Sequence, residues 1–255
     1  MRGESNRQGI ELLTPTKPLA DGVKAFSTTR CGGVSRPPYA SLNLGAHTGD
    51  DRAAVLENRS RLEIAAGLPE SPRWLAQVHG TRVVAAHEQP RGTQADGAWT
   101  DRPGVVCAVL TADCLPVVFA AQDGSVVAAV HAGWRGLCNG VLEQALEVMP
   151  VAPAQLVAWL GPAIGGANFE VGKEVRDGFM ASDSASAECF VPGREGHFFA
   201  DLYCLAQQRI KSRGVKEVFG YNWCTFKQWQ RFFSYRRDGG STGRMATLVH
   251  LESSS

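Results

Sequence analysis

Apolar residues along this chain fall into short, β-branched runs punctuated by Gly, Asp, Asn and Pro, with a few helical stripes between them. Residues 23–29, 74–78, 82–86, 105–111, 116–121, 126–131, 156–160, 218–221 and 245–250 read as strands. Residues 50–66 read as a helix: Asp50 or Asp51 caps it, Val55, Leu56, Leu62 and Ala66 recur at helical spacing, and Gly67 closes it. Further helices are predicted over 140–149, 171–180 and 201–212, the last capped by Asp201 and ended by Gly214. Residues 1–9 and 251–255 read as flexible termini, leaving one domain over 10–250. Hairpins mixed with helices predict an α/β fold, a single domain on a mixed sheet.

Two of these strands carry chemistry. Residues 116–121 and 125–131 are apolar and flank Gln122-Asp-Gly124, which reads as a β-hairpin. Cys114 precedes the first arm in Thr111-Ala-Asp-Cys-Leu-Pro116, and His131 ends the second, opening His131-Ala-Gly-Trp-Arg-Gly136. A tight turn centred on Gln122 and Asp123 sets Cys114 opposite His131. A two-residue Asp123-Gly124 loop sets Cys114 opposite Gly133, and His131 opposite Pro116. Either register keeps thiol and imidazole on one face, about 5–8 Å apart at Cβ. A three-residue loop would divide them between faces. A thiol beside an imidazole suits a metal site or an activated nucleophile.

A third member is His79, in Leu75-Ala-Gln-Val-His-Gly80, although spacing alone does not bring it to the other two. One thiolate and two imidazoles make a set suited to zinc, with a fourth position open to water or substrate. The plainer reading makes Cys114 a buried small hydrophobe and each His a hydrogen-bonded core or rim residue. The neighbouring residues weigh against it. Ala132, Gly133 and Gly136 leave the backbone bare, while Trp134 and Arg135 add a stacking surface and an anion-binding fork.

Composition narrows the partners. The 255 residues suffice for a substantial core, and 44% hydrophobic with 20% charged residues is an ordinary globular balance. A formal charge of +1 predicts neither nucleic acid nor a membrane surface as partner, and leaves the oligomeric state open. The polar N-terminus does not read as a secretory signal. Seven dispersed cysteines without a CxxC predict a reduced, cytoplasmic protein.

Other segments have two readings each. Arg30-Cys-Gly-Gly-Val-Ser35 is either an anion-binding loop aided by Arg30 or a plain turn. Asn43, in Ser41-Leu-Asn-Leu-Gly45, is a substrate ligand or a locally bonded amide. Leu160-Gly-Pro-Ala-Ile-Gly-Gly166 lacks the Lys-Ser/Thr of a phosphate loop and reads as a tight connection. Arg236 and Arg244 sit on Arg-rich loops that are solvated or bind phosphate. Asp113 points away from Cys114 if it lies within the strand; at the strand's entry it can orient a ligand or water. Cys224 is a spare thiol near a site or a structural one.

Taken together, Ser27-Thr-Thr-Arg-Cys-Gly-Gly-Val-Ser35, Ser41-Leu-Asn-Leu-Gly45, Gln77-Val-His-Gly80, Thr111-Ala-Asp-Cys-Leu-Pro116, His131-Ala-Gly-Trp-Arg-Gly136, Leu160-Gly-Pro-Ala-Ile164 and Arg236-Arg with Thr242-Gly-Arg244 resemble the YfiH/laccase-domain family of purine nucleoside enzymes. They span nearly the whole chain in one order. The resemblance implies an α/β/β/α sandwich with mixed sheets, and metal ligands at His79, Cys114 and His131. It also implies zinc-dependent phosphorolysis of adenosine, inosine and methylthioadenosine, and deamination of adenosine. Cys114, His131 and Asp113 are then the catalytic candidates; Arg30, Asn43, Arg135 and Arg244 are the candidates for binding purine nucleosides and phosphate.

Competing functions stay in view. A copper-dependent polyphenol oxidase needs several coppers and many closely paired His, whereas this chain has six His and no His-X-His, although copper can occupy a thiol-containing site. A cysteine hydrolase would use Cys114 as nucleophile and His131 as base on an amide, as in editing of peptidoglycan precursors. A non-catalytic binding protein fits poorly with so many ligand-type residues in company.

Overall fold

The structure is a computed structural model that describes residues 4–5 and 9–253. The chain opens with β1 (Glu4–Ser5), β2 (Glu11–Leu13), β3 (Val23–Thr28) and α1 (Arg52–Ala66). Then come β4 (Val83–Ala85), β5 (Gly97–Thr100), β6 (Cys107–Thr111), β7 (Leu115–Ala121), β8 (Val127–Ala132), α2 (Trp134–Asn139) and α3 (Val141–Val148). The last part holds β9 (Leu156–Leu160), β10 (Glu170–Gly172), α4 (Lys173–Ser182), β11 (Phe190–Pro192), β12 (His197–Ala200), α5 (Leu202–Ser212), β13 (Glu217–Gly220) and β14 (Met245–Leu251).

Two sheets stack face to face. One has the order β1-β2-β3-β14-β6, the other β13-β9-β7-β8-β5-β4, and β10-β12-β11 forms a small third sheet. The six-stranded sheet is mixed: β13 with β9 and β4 with β5 are parallel, the remaining pairs antiparallel. Ala25, Val109 and Val249 of the first sheet meet Val118, Ala129 and Trp159 of the second. The outer face of the second sheet presents Phe119 and Val130 to Leu142 of α3 and Leu205 of α5. The outer face of the first presents Phe26 and Leu248 to Leu62 of α1. The result is an α/β/β/α sandwich with mixed sheets. It explains why β7 and β8 are apolar except at His131: each is buried on both faces.

Local signals fix several elements as expected. Asp51 caps α1 by accepting from the Ala53 amide, Gly67 takes the left-handed φ of 58° that ends it, and Asp201 accepts from the amides of Tyr203 and Cys204 at the start of α5.

Other elements depart from the sequence reading. The strand expected over 74–78 is reduced to isolated bridges, because the Gln77 side chain pairs with both the amide and the carbonyl of Leu110 in place of a ladder. The helix expected from 171 starts at Lys173, since Glu170–Gly172 pairs with β12 instead. The helix expected over 140–149 is preceded by the separate α2, with Gly140 at a φ of 97° between them. The termini are more ordered than expected: Glu4–Ser5 pairs with β2, Leu251 belongs to β14, and the Glu252 amide donates to the Gly22 carbonyl. The flexible-terminus expectation for residues 1–3, 6–8 and 254–255 lies outside the described residues. The expectation of seven reduced thiols is corrected at one pair, Cys189 and Cys204, which form a disulfide. No described helix is long and apolar enough to cross a membrane.

Candidate metal centre and its cavity

The β7–β8 ladder adopts the Asp123-Gly124 register: Leu115 faces Ala132 and Pro116 faces His131. Cys114 therefore lies one residue before the strand, next to Gly133 across the hairpin. Thiol and imidazole share one face, as an even loop requires. His79 arrives from a different part of the chain, with a left-handed φ of 60°. Its Nε2 lies 3.9 Å from Cys114 Sγ, and its ring meets that of His131 edge-on at 4.8 Å between centroids. One donor atom from each of His79, Cys114 and His131 falls within 4.8 Å of the others. A tetrahedral ion with bonds of 2.0–2.3 Å separates such donors by about 3.5 Å, so a small inward movement closes the set.

Asp96 brings His79 and His131 together. Fully buried, it accepts from the amides of Val78, His79 and Gly80 at 3.2, 2.9 and 2.7 Å, which forces the turn that carries His79. Its Oδ1 also bonds His131 Nδ1 at 2.8 Å, and its carbonyl accepts from the His131 amide. With Nδ1 held by a carboxylate, His131 turns Nε2 toward the thiol, the arrangement that orients metal-binding imidazoles. The backbone leaves room where the donors meet. A Cβ on Gly133 would sit 2.8 Å from His79 Cδ2 and 3.1 Å from Cys114 Sγ. Two imidazoles and a thiolate around a bare glycine fit a borderline-soft divalent ion.

The electrostatics agree. Burial alone would push the Cys114 thiol up, but the charge and hydrogen bond of His131, joined by those of His79, bring it down to about 6. Burial would lower His131, yet the Cys114 thiolate and the Asp96 hydrogen bond raise it to about 9. Burial likewise opposes the charge on Asp96, and the bonds from His131 and Gly80 hold it below the usual carboxylate range. The three groups thus favour charge on one another: a thiolate on Cys114, a proton on His131 and an ionised Asp96.

The centre forms one wall of a cavity of about 410 Å³, the size of a small-molecule site. Among the sequence candidates, Asp113, Arg135 and Arg244 also line it. Asp113, at a φ of 96°, turns its carboxylate to Thr225 Oγ1, Ser234 Oγ and the Arg236 amide, so it holds loops rather than facing the thiol. Arg30 and Asn43 stand outside the cavity wall. The Arg30 guanidinium donates to the carbonyls of Ala40 and Trp229. Asn43, fully buried, accepts from the amides of Gly45 and Arg244 and donates to Thr48 and Asp50. Cys224 accepts from Gly165 and Asn168 and is structural.

His47, Phe169 and Tyr235 on the cavity wall, and Asp96 behind the two imidazoles, belong to this neighbourhood without having been singled out as candidates for it. Asp96 had a signal: an acidic residue inside Gln94-Ala-Asp-Gly97, at the mouth of an apolar strand. For His47 and Tyr235 no local pattern marks the cavity; only the fold assembles them.

Residues 24–252 match the family model described as multi-copper polyphenol oxidoreductase laccase. The Shigella flexneri protein named purine nucleoside phosphorylase YfiH is 51% identical over 242 residues, covering 94% of this chain and 99% of that one. A Haemophilus influenzae protein named purine nucleoside phosphorylase is 44% identical, covering 95% and 100%. Among solved structures, the Neisseria meningitidis protein NMB0706, of family model DUF152, superposes with a TM-score of 0.91 at 47% identity, covering 95% and 99%. YlmD from Geobacillus stearothermophilus does so at 0.86 and 29%, covering 98% and 99%. A family match over residues 24–252, with relatives 44–51% identical across 94–95% of the chain, makes this chain a member of the YfiH laccase-domain family.

Proposed function

We propose that this chain is an enzyme, a purine nucleoside phosphorylase with a single zinc ion held by His79, Cys114 and His131. The observation that carries the reading is the convergence of those three donors on the wall of a small-molecule cavity. The relatives named for this activity, 44–51% identical over their whole length, supply its substrate class. Adenosine, inosine and methylthioadenosine are the nucleosides proposed, with deamination of adenosine as a second reaction of the same site.

A bound zinc ion would supply Lewis acidity at an open coordination position. The protein's own groups do the rest. Asp96 keeps the His131 ring fixed, and the thiolate of Cys114 offers a charged donor without prior deprotonation above about pH 6. His131, raised to about 9, would give up its proton to serve as a ligand, so metal affinity would fall on acidification. Trp134 and Phe169 give the cavity flat apolar surface suited to a purine ring. Cationic side chains on the rim supply charge for phosphate. The setting proposed is the cytoplasm.

Incubation of purified protein with adenosine and phosphate, read by mass spectrometry, should yield adenine and ribose-1-phosphate, with inosine as the mark of deamination. Metal analysis should find close to one zinc per chain. Zinc-replete protein that turns over no purine nucleoside would sink the reading.

One observation favours a second reading. Cys114, His131 and Asp96 stand in the nucleophile–base–carboxylate order of a cysteine hydrolase acting on an amide. Full amide hydrolase activity in metal-free protein, with acyl label on Cys114, would select it. A copper oxidase relay is disfavoured: the described residues contain one three-donor cluster, and the chain has no His-X-His.

A further inference from the structure

The cavity wall is charged unevenly. Arg135, Arg236 and Arg244 line it, and among the described residues the sole acid facing it is Asp113. That carboxylate is itself taken up by three donors: Thr225 Oγ1 at 2.6 Å, Ser234 Oγ at 3.0 Å and the Arg236 amide at 2.7 Å. The nearby Asp238 is engaged by both Nε and Nη2 of Arg237. Arg236 and Arg244 have no ion pair among the described residues, although both line the cavity, Arg244 half-buried and Arg236 exposed.

Both guanidinium groups are also held in place. Arg236 donates through Nη1 to the Glu170 carbonyl at 2.7 Å and lies over the Phe169 ring at 5.1 Å. Arg244 donates through Nη1 to the carbonyls of Thr242 and Gly243, and lies over Tyr235 at 5.7 Å. One nitrogen of each fork is thus tied to the backbone, which leaves Nε and Nη2 for a ligand. The supports extend outward. Asn43 fixes the Arg244 amide at 2.9 Å, and Gly45 clears the path of the side chain, since a Cβ there would meet Arg244 Cγ at 2.8 Å. Asp113, one residue before Cys114, fixes the Arg236 amide and so ties the arginine loop to the metal centre. Arg135 differs: it stacks on Trp134 at 4.3 Å, and its guanidinium makes no hydrogen bond among the described residues.

Fixed, unpaired guanidinium forks recognise tetrahedral oxyanions, because ordering them costs little when the ligand arrives. We propose that Arg236 and Arg244 form the subsite for free orthophosphate in this cavity, with Asp113 and Asn43 as positioning residues that hold the two arginines. The assignment rests on the phosphorylase reading for the choice of free phosphate over a phosphate ester.

The test is calorimetric titration of inorganic phosphate into the full chain as purified, in parallel with phosphorolysis kinetics. Arg236→Gln and Arg244→Gln should each weaken phosphate binding at least about tenfold and raise the phosphate KM to match. The nucleoside KM should stay within about twofold. Arg236→Lys and Arg244→Lys should fall between wild type and the Gln variants, since charge survives and the fork does not. Lys216→Gln, an exposed control, should bind phosphate as wild type does. Folded Gln variants with unchanged phosphate affinity would overturn the assignment. So would binding of adenosine 5′-monophosphate, but not of orthophosphate, in an arginine-dependent manner. Phosphate binding that needs both arginines, in protein that cleaves no nucleoside, would leave the subsite standing and remove the phosphorylase reading instead. Phosphorolysis with an arginine-independent phosphate KM would do the reverse.

Discussion

The starts of β6 and β7 each present a cysteine, and the two surroundings act on the thiol in opposite directions. Cys107 is fully buried between the sheets, where burial pushes its thiol far up and the charge of Arg73 offsets only part of the effect. Burial also raises the half-buried Cys114 thiol, but His131 and His79 stand beside it and bring it down. Burial by itself silences a thiol; burial next to two imidazoles, one of them braced by Asp96, makes a ligand. Cys107 lies deeper than Cys114, but depth alone would raise both thiols. Their partners separate them.

The comparison can be broken at several points. Cys114→Ala should abolish stoichiometric metal and with it turnover, whereas loss of turnover with metal retained would move the centre elsewhere; metal analysis and the nucleoside assay read both. In metal-stripped protein, iodoacetamide should modify Cys114 at least about 100-fold faster than Cys107 at pH 7. The sign follows from the shifts: the lowered Cys114 is thiolate above about pH 6, so its rate falls on acidification through that value, while the raised Cys107 stays protonated throughout.

Asp96→Asn should weaken metal binding about 10- to 100-fold. It should also cost about 2–3 kcal/mol of stability, because either orientation of the amide turns N–H toward a backbone donor that the carboxylate now satisfies. Competition with a chromophoric chelator and urea denaturation measure the two effects. Gly133→Ala is a steric test, since Gly133 has a φ of −65° that alanine tolerates. The new methyl, crowded against His79 and Cys114, should weaken metal binding about tenfold and cost about 1–3 kcal/mol. The smallest effect belongs to the silent thiol: Cys107→Ala should leave metal content unchanged and cost about 1 kcal/mol in thermal unfolding.

Local signals carried much of the fold. The caps of α1 and α5, and the apolar runs of β7 and β8 interrupted only by His131, follow from residues near one another in sequence. The strand expected around Gln77 failed because a side-chain amide took over the pairing that a ladder would have made. The β10–β12–β11 sheet was missed because its strands are only three or four residues long, too short to show a periodicity. Of the candidate residues, Arg30 and Asn43 were chosen for chemical type, yet their polar atoms are spent on local backbone and side chains outside the cavity.

What the sequence by itself determined was the hairpin whose arms carry Cys114 and His131, while the structure chose its even loop. A hairpin with an even loop puts both on one face whatever else the chain does. The arrival of His79, the carboxylate of Asp96 beneath both imidazoles, and the gathering of Arg236 and Arg244 on the same wall were decided by tertiary structure alone. Strand periodicity fixes which way a side chain points, but contacts between segments distant along the chain arise only when the two sheets pack and the loops at their ends are drawn together.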